Sequence, residues 1–198
     1  MSQQSHKRNL ILASSSPYRK ILLERLGIPF QVCSPDVDET PGHGEAAAGL
    51  VSRLAKSKAA SLAARFPLAV IIGSDQVAVC DGEIIGKPHT ADAAIRQLQQ
   101  FSGRTVLFLT AVCVICETTA FEYQRIVTTE ACFRSLSEDE IRRYIQQDRP
   151  LDCAGSFKSE VAGIGLLNAL KADDPTAIVG LPLIALSEAL RSAGFKVP

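Results

Sequence analysis

Asp75 is the carboxylate whose sequence surroundings best suit a catalytic base. It follows the apolar run 68–72 and the pair Gly73-Ser74, so we expect it to lie at the end of a buried strand. Ligands of open α/β sheets bind beyond the carboxyl ends of strands, where a carboxylate can be desolvated enough to accept a proton. The alternative is a structural aspartate that caps a turn.

Three further carboxylates, Asp36, Asp38 and Glu39, crowd a short loop ahead of a Pro-Gly turn. Carboxylates this close together repel one another unless a cation binds them or water screens them. The histidines are scattered over unrelated segments, so any metal is expected to be a hard cation bound by oxygen. The alternative is an ordinary solvated loop.

An anion site is predicted where a helix begins after the serines of loop 14–16. Pro17 suits the first helical position, and the free N–H groups at a helix N-terminus attract anions. Arg19 and Lys20 lie in the first turn, where cations oppose the helix dipole, so they suit a bound phosphate better than the helix alone. The alternative is a capped helix with solvated basic residues.

Two lysines and one loop complete the candidate chemistry. Lys58 lies on a long amphipathic helix, and Lys87 stands between a glycine and a proline that restrict the backbone around it. Residues 153–160 combine small residues, an aromatic ring and opposite charges between helical segments, which favours a binding loop over a plain connector.

The elements that must position these residues alternate along the chain. The apolar patterns predict strands over 10–13 and 68–72, a helix over 45–66, a tight hairpin at Asp81-Gly82, and an antiparallel pair over 105–117 and 122–134. Helices are predicted after Thr90, after the capping box of Ser137 and Glu140, and between Pro182 and Gly194. The sum is an α/β domain with a mixed sheet.

Composition excludes several classes of protein. A chain of 198 residues with 46% apolar residues is expected to fold as one domain over 1–198, with a flexible start over 1–9. Its 21 basic and 21 acidic residues balance, which argues against nucleic acid or a membrane surface as a partner. No run approaches the roughly 18 apolar residues of a membrane span, and no signal peptide is evident, so we expect a cytoplasmic protein.

The six cysteines are expected to be reduced in that compartment. Cys113 and Cys116 form a CxxC within a strand-like apolar run, where residues three apart point to opposite faces. We therefore interpret them as buried thiols, with a redox or zinc pair as the alternative.

Seven segments, in their order along the chain, resemble the Maf family of nucleotide pyrophosphatases: LASSSPYRK, VDET, LAKSKA, IIGSDQV, GKP, CAGSFKSE and VGLPL. Several motifs in one order are far more specific than any one of them. The resemblance implies a mixed, twisted sheet with flanking helices, similar to the inosine triphosphate pyrophosphatase fold. It also implies a divalent cation (Mg²⁺ or Mn²⁺) and cleavage between the α and β phosphorus atoms of a nucleoside triphosphate. A homodimer is compatible with the resemblance.

The resemblance assigns roles residue by residue. The phosphate-binding residues would be Ser14, Ser15 and Arg19. The catalytic residues would be Asp75, Lys58, Lys87 and Glu39, of which Glu39 and Asp75 would also hold the metal. Asp75 would take the proton of the attacking water, while the cations stabilise charge on the phosphate oxygens.

The family has at least two sequence types, and this chain departs from the one that hydrolyses dTTP and UTP. It has Tyr18, Gln76 and Glu160 where that type has Arg, Thr and Gln, which resembles the YceF-like subfamily associated with 7-methylguanosine triphosphate. A carboxylate can accept hydrogen bonds from both N1–H and the amino group of guanine, and a cationic methylated base gains from a carboxylate and an aromatic face. The resemblance thus predicts a 7-methyl-GTP pyrophosphatase, with a broader CTP and UTP pyrophosphatase or a nucleotide-binding regulator of septum formation as alternatives.

Overall fold

The structure is a computed structural model that describes residues 8–198. Most of the flexible start predicted over 1–9 therefore lies outside the described residues. Arg8 and Asn9 are described and are tied down, since Arg8 donates to the Ala193 carbonyl at 3.0 Å and the Asn9 carbonyl accepts from the Val70 N–H at 2.9 Å.

Seven strands, five α-helices and four short 3-10 helices make up the regular structure of the described chain. The strands are β1 (Leu10–Ala13), β2 (Gln31–Cys33), β3 (Val70–Cys80), β4 (Glu83–Ile85), β5 (Thr105–Cys116), β6 (Phe121–Phe133) and β7 (Leu167–Ala172). The α-helices are α1 (Pro17–Glu24), α2 (Ala47–Ala60), α3 (Ala91–Phe101), α4 (Glu138–Asp148) and α5 (Leu183–Ser192). The mixed α/β sheet predicted from the sequence is confirmed.

The strands form one sheet in the order β2-β1-β3-β5-β6-β7, with β4 paired to β3. β1 is parallel to both of its neighbours, and every other pairing is antiparallel. Helices α1 and α5 pack on one face of the β1–β3 region, and α2 packs on the other. The apolar residues of α3 and α4 form a separate cluster against β5 and β6.

The predicted end of the strand before Asp75 is wrong. β3 runs on to Cys80, so Asp75 lies in its middle. The reason is that β5 pairs with β3 over residues 71–79, while β1 leaves the sheet where Ala13 pairs with Gly73. Asp75 thus lies just beyond the carboxyl end of the parallel neighbour β1, inside a strand that continues past it.

The helix predicted over 45–66 is too long at both ends. α2 ends at Ala60, and the chain then tightens into turns in which the Leu62 N–H binds the Ala59 carbonyl and the Ala63 N–H binds the Ala60 carbonyl. These turns keep Leu62 in the core, which explains why the helical apolar pattern continues beyond the helix.

Most of the other local predictions are confirmed. Asp81 and Gly82 both adopt positive φ in the β3–β4 hairpin, Thr90 caps α3, and Ser137 with Glu140 forms a capping box on α4. Cys113 and Cys116 lie in clusters on opposite faces of the sheet, and both are free. Across residues 8–198, no helix is long and apolar enough to cross a membrane.

Candidate active site

β3 presents two different sets of side chains at the point where β1 ends. Because successive side chains of a strand point to opposite faces, Gly73 and Asp75 face α2 while Ser74 and Gln76 face the other side. Gly73 permits a close approach of α2, since a Cβ at this position would lie 2.1 Å from the Ala55 carbonyl oxygen. This approach carries a lysine of α2 to Asp75.

That lysine is Lys58, and its ammonium bridges two carboxylates. Its Nζ lies 2.6 Å from Oδ1 of Asp75 and 2.7 Å from Oε1 of Glu39. Lys58 and Asp75 are 5% and 6% exposed, so each needs the other as its counter-charge. We refer to Glu39, Lys58 and Asp75 as the ion chain.

Glu39 forms the exposed end of the ion chain. Burial raises its pKa, but the hydrogen bond and charge of Lys58, helped by the charges of Lys87 and Arg19, outweigh that effect and leave the pKa below the ordinary value. Asp38, its neighbour in the acidic loop, instead stabilises a turn by accepting a hydrogen bond from the Thr40 N–H at 2.9 Å. Within the predicted carboxylate cluster, Glu39 is thus the member that joins the ion chain.

Arg19 lies at the start of α1, where the sequence predicts an anion site. Ser16 caps the helix by accepting from the Arg19 N–H at 3.4 Å. The guanidinium donates through Nε to the Gly180 carbonyl at 2.8 Å and through Nη1 to Ser14 Oγ at 3.5 Å. Burial lowers the pKa of Arg19, and the negative charges of Asp75 and Glu39 partly offset this.

One cavity gathers nearly all of the predicted site residues. Its wall includes Ser14, Ser15, Tyr18, Arg19, Glu39, Lys58, Gln76, Lys87 and Glu160. Asp75 is not on the wall, and it meets the site through its bond to Lys58. The wall also contains residues that the sequence did not single out, among them Asp152 and Ile178.

Tyr18 and Glu160 differ in how the surrounding protein holds them. The Lys158 ammonium lies 5.3 Å from the centroid of the Tyr18 ring, and the Tyr18 hydroxyl donates to Asp152 at 3.4 Å. Lys158 also donates to the Asp148 carbonyl at 2.9 Å. Glu160 is exposed at the cavity and forms no ion pair with any residue in 8–198, so its charge is open to a ligand.

Gln76 has a fixed amide orientation. Its Nε2 donates to Thr110 Oγ1 at 2.8 Å and to the carbonyls of Ala177 and Ile178 at 2.9 and 3.0 Å. Two of these partners are carbonyl oxygens, which accept only, so the nitrogen must face them and the amide oxygen is left as an acceptor.

Two residues that support this part of the site were missed by the sequence analysis. They are Ser74 and Thr110, both fully buried and both bonded to the turn formed by residues 177–180. The sequence did contain a sign of Ser74, because Ser74 and Gln76 are polar residues at alternate positions of an otherwise apolar strand. The pairing of Thr110 with Gln76 between β5 and β3 is visible only in the structure.

The carboxylates of the ion chain suit a hard cation bound together with substrate. No group of three or more His, Cys, Asp or Glu side chains in the described part of the chain could hold a metal alone. Glu39 and Asp75 each bond Lys58 through one oxygen and keep a second. Mg²⁺ is commonly bound by one or two carboxylates plus substrate phosphates, so this donor set fits it.

Comparison with known proteins supports one family. The family model described as Maf-like protein matches residues 9–193. A 7-methyl-GTP pyrophosphatase of Aromatoleum aromaticum is 55% identical over 189 residues, which cover 96% of this chain and 97% of the relative. A protein of the same name from Pseudomonas aeruginosa is 50% identical over 190 residues, which cover 96% and 99%.

A solved structure, the Ham1 protein of Staphylococcus aureus, is similar with a TM-score of 0.48 and 15% identity over 64% of this chain and 72% of its own. The match to the family model and the near-full-length relatives decide the assignment, and the chain belongs to the Maf family.

Proposed function

We propose that the chain is a nucleoside triphosphate pyrophosphatase that hydrolyses 7-methyl-GTP to 7-methyl-GMP and diphosphate. Relatives carrying that name are 50% to 55% identical over almost the whole chain. The observation that carries the proposal is a cavity whose wall contains Arg19, Glu39 and Lys58 together with the acceptor groups of Gln76 and Glu160, while Asp75 is bonded to Lys58 behind that wall. Cations suit a triphosphate, and paired acceptors suit the N–H edge of guanine.

Asp75 acts as the base in this proposal. Its Oδ1 is bonded to Lys58, and its second oxygen is the one left to take a proton from the attacking water. Water attacks the α-phosphorus, the bond from that phosphorus to the bridging oxygen breaks, and diphosphate leaves. Lys58, Lys87 and Arg19 supply the positive charge that the phosphate oxygens need as the bond breaks.

Glu39 would hold the divalent cation directly and Asp75 would hold it through the attacking water, together with the substrate phosphates. Bound there, Mg²⁺ or Mn²⁺ would supply Lewis-acid stabilisation of the phosphate oxygens. We expect excess chelator to stop diphosphate release and added Mg²⁺ or Mn²⁺ to restore it. Calorimetric titration of Mg²⁺ in the presence of a non-hydrolysable nucleotide gives a readout that does not depend on turnover, and full activity in chelator would exclude the metal.

In this proposal, hydrogen-bond acceptors of the protein recognise the nucleobase of the substrate. Guanine presents N1–H and an amino group, which match the Gln76 oxygen and the Glu160 carboxylate, and methylation at N7 adds a positive charge that favours Glu160. The Tyr18 face near Lys158 cannot take a cationic base without like-charge repulsion. Any stacking on Tyr18 therefore uses the opposite face.

The test is hydrolysis of 7-methyl-GTP, GTP, CTP, UTP and dTTP by the purified protein with Mg²⁺, scored by kcat/KM and product identity. We expect the highest kcat/KM for 7-methyl-GTP, with 7-methyl-GMP and diphosphate as products. Equal rates on CTP and UTP would indicate the broader pyrophosphatase, and binding without turnover would indicate the regulator. Single-domain organisation, cytoplasmic localisation and a homodimer stay predictions.

A further inference from the structure

The turn at residues 177–180 is held by hydrogen bonds that come from inside the sheet. Its carbonyl groups at Ala177, Ile178 and Gly180 accept from side chains of β3 and β5. Ser74 and Thr110 are 0% exposed among apolar neighbours. Buried hydroxyls are costly to place in a core unless their hydrogen bonds are made, so both bonds favour the observed position of the turn.

Ser74 acts on the phosphate side of the cavity. Its Oγ lies 2.9 Å from the Gly180 oxygen and 2.7 Å from the Ala111 oxygen, so its one proton is shared between two carbonyls. The same Gly180 oxygen accepts the Arg19 Nε–H at 2.8 Å. The position of this oxygen therefore sets the direction of the Arg19 guanidinium.

Thr110 acts on the side of the cavity where Gln76 is proposed to meet the nucleobase. Its hydroxyl donates to the Ala177 oxygen at 2.9 Å, which turns the lone pairs of its Oγ1 toward the Gln76 Nε2 at 2.8 Å. This acceptor helps to hold the amide with its nitrogen toward the turn and its oxygen as the remaining acceptor.

We propose that Ser74 and Thr110 are positioning residues with separate targets: Ser74 orients Arg19 toward phosphate, and Thr110 orients Gln76 toward the base. The inference rests on the proposed function for the meaning of "phosphate" and "base", and it deepens that function. Loss of Ser74 Oγ should weaken catalysis on every nucleotide alike. Loss of Thr110 Oγ1 should change the choice among bases.

The first experiment is a double-mutant cycle on Ser74→Ala and Arg19→Ala. Ser74→Ala should lower kcat/KM about 10-fold on all hydrolysed nucleotides and about equally, since it acts through a group common to them. In the Arg19→Ala background the same substitution should have little further effect. A purely structural role would give the same loss in both backgrounds, and that result would overturn the assignment.

The second experiment is Thr110→Val, which removes the hydroxyl and keeps the shape. It should reduce the ratio of kcat/KM for 7-methyl-GTP over CTP by about 3-fold, because the Gln76 amide loses one of its three acceptors and its oxygen is held less firmly toward guanine. The change in ratio should disappear in a Gln76→Ala background. An unchanged ratio in the Gln76-containing protein would overturn the role of Thr110.

A matched control exists in the same sheet. Thr129 of β6 is also 0% exposed, and its Oγ1 has no hydrogen-bond partner among the described residues. Thr129→Val therefore makes the same chemical change without touching the turn, and its kinetics should match those of the unmodified protein.

If Ser74→Ala does not fold, Ser74→Cys keeps a weak donor and should show the same coupling with Arg19 at smaller amplitude.

Failure of this inference can be told apart from failure of the proposed function. The unmodified protein is assayed first on all five nucleotides, and the Ser74–Arg19 cycle is run on whichever it hydrolyses fastest. Hydrolysis of 7-methyl-GTP with no coupling between Ser74 and Arg19 refutes the inference alone. Preference for another nucleotide with intact coupling refutes the substrate assignment alone.

Discussion

The two faces of β3 achieve different tasks with different kinds of interaction. On the face toward α2, Asp75 belongs to a chain of full charges that includes a buried lysine. On the opposite face, Ser74 and Gln76 make neutral hydrogen bonds to backbone carbonyls. Charged groups can exchange partners with an incoming phosphate or proton, whereas neutral bonds to a fixed backbone hold an orientation. The charged face therefore suits chemistry, and the neutral face suits holding Arg19 and Gln76 in fixed orientations.

Asp75→Asn is expected to have the largest effect on the charged face. The amide keeps the shape of the side chain and cannot take the proton of water, so kcat should fall by about 10²- to 10⁴-fold with the fold retained. Steady-state kinetics with a thermal melt check this. Asp81→Asn is a suitable control, because Asn-Gly supports the same hairpin turn. Near-normal kcat in the Asp75 variant would remove it as the base.

Lys58→Met should show that the charged face depends on a buried counter-charge. Removing one member of a buried pair leaves the other unpaired, at a cost of about 3 to 5 kcal/mol in the free energy of unfolding. Lys56→Met is the matched control on the same helix. Lys56 also lies 2.7 Å from a carboxylate, that of Glu122, but both side chains are about half exposed, so the change should be much smaller. Equal losses in urea denaturation would contradict the comparison.

Gly73→Ala tests the close approach that brings Lys58 to Asp75. The added Cβ would lie 2.1 Å from the Ala55 oxygen and 2.8 Å from the Ala59 nitrogen, so α2 must move away. We expect a loss of about 1 to 3 kcal/mol in stability together with reduced kcat. Gly49→Ala adds the same methyl group on α2 at an ordinary contact distance of 3.8 Å and should be neutral or stabilising.

Glu160→Gln addresses recognition rather than chemistry. The variant keeps one acceptor and loses the charge that faces a cationic nucleobase. The activation free energy derived from kcat/KM should therefore rise by about 1 to 2 kcal/mol more for 7-methyl-GTP than for UTP. Tyr18→Ala should act in the same direction through lost stacking. Equal losses on both nucleotides in the Glu160 variant, at unchanged melting temperature, would argue against the 7-methylguanine assignment.

The smallest expected effect is the pH dependence of the Glu39–Lys58 pair. The pKa of Glu39 lies below its usual 4.5, so the pair stabilises the folded state above the unfolded pKa and loses this contribution as the pH falls through the folded pKa. The stability difference from Glu39→Gln should be under about 1 kcal/mol, since the side chain is 52% exposed. It should be largest near neutrality and shrink below pH 4.5, and a difference that is constant down to pH 3 would contradict the assignment.

Sequence reasoning succeeded where the deciding interactions are local. The Asp81-Gly82 hairpin, the Thr90 cap and the Ser137–Glu140 capping box each depend on residues a few positions apart, and each is present in the structure. It failed where a distant partner decides the outcome, as when pairing with β5 continues β3 past Asp75. The short strands β2 and β7 were not predicted from the sequence either.

The sequence by itself determined the family, through motifs that occur in one order, and with it a set of residues that nearly all line one cavity. Tertiary structure alone decided how those residues are held. Lys58 and Asp75 are 17 positions apart, and Ser74 and Gly180 are 106 apart. Caps and turns follow from the preferences of neighbouring residues, but a bond across 106 positions exists only because packing of the sheet and its covering segments brings a buried hydroxyl and a carbonyl within reach.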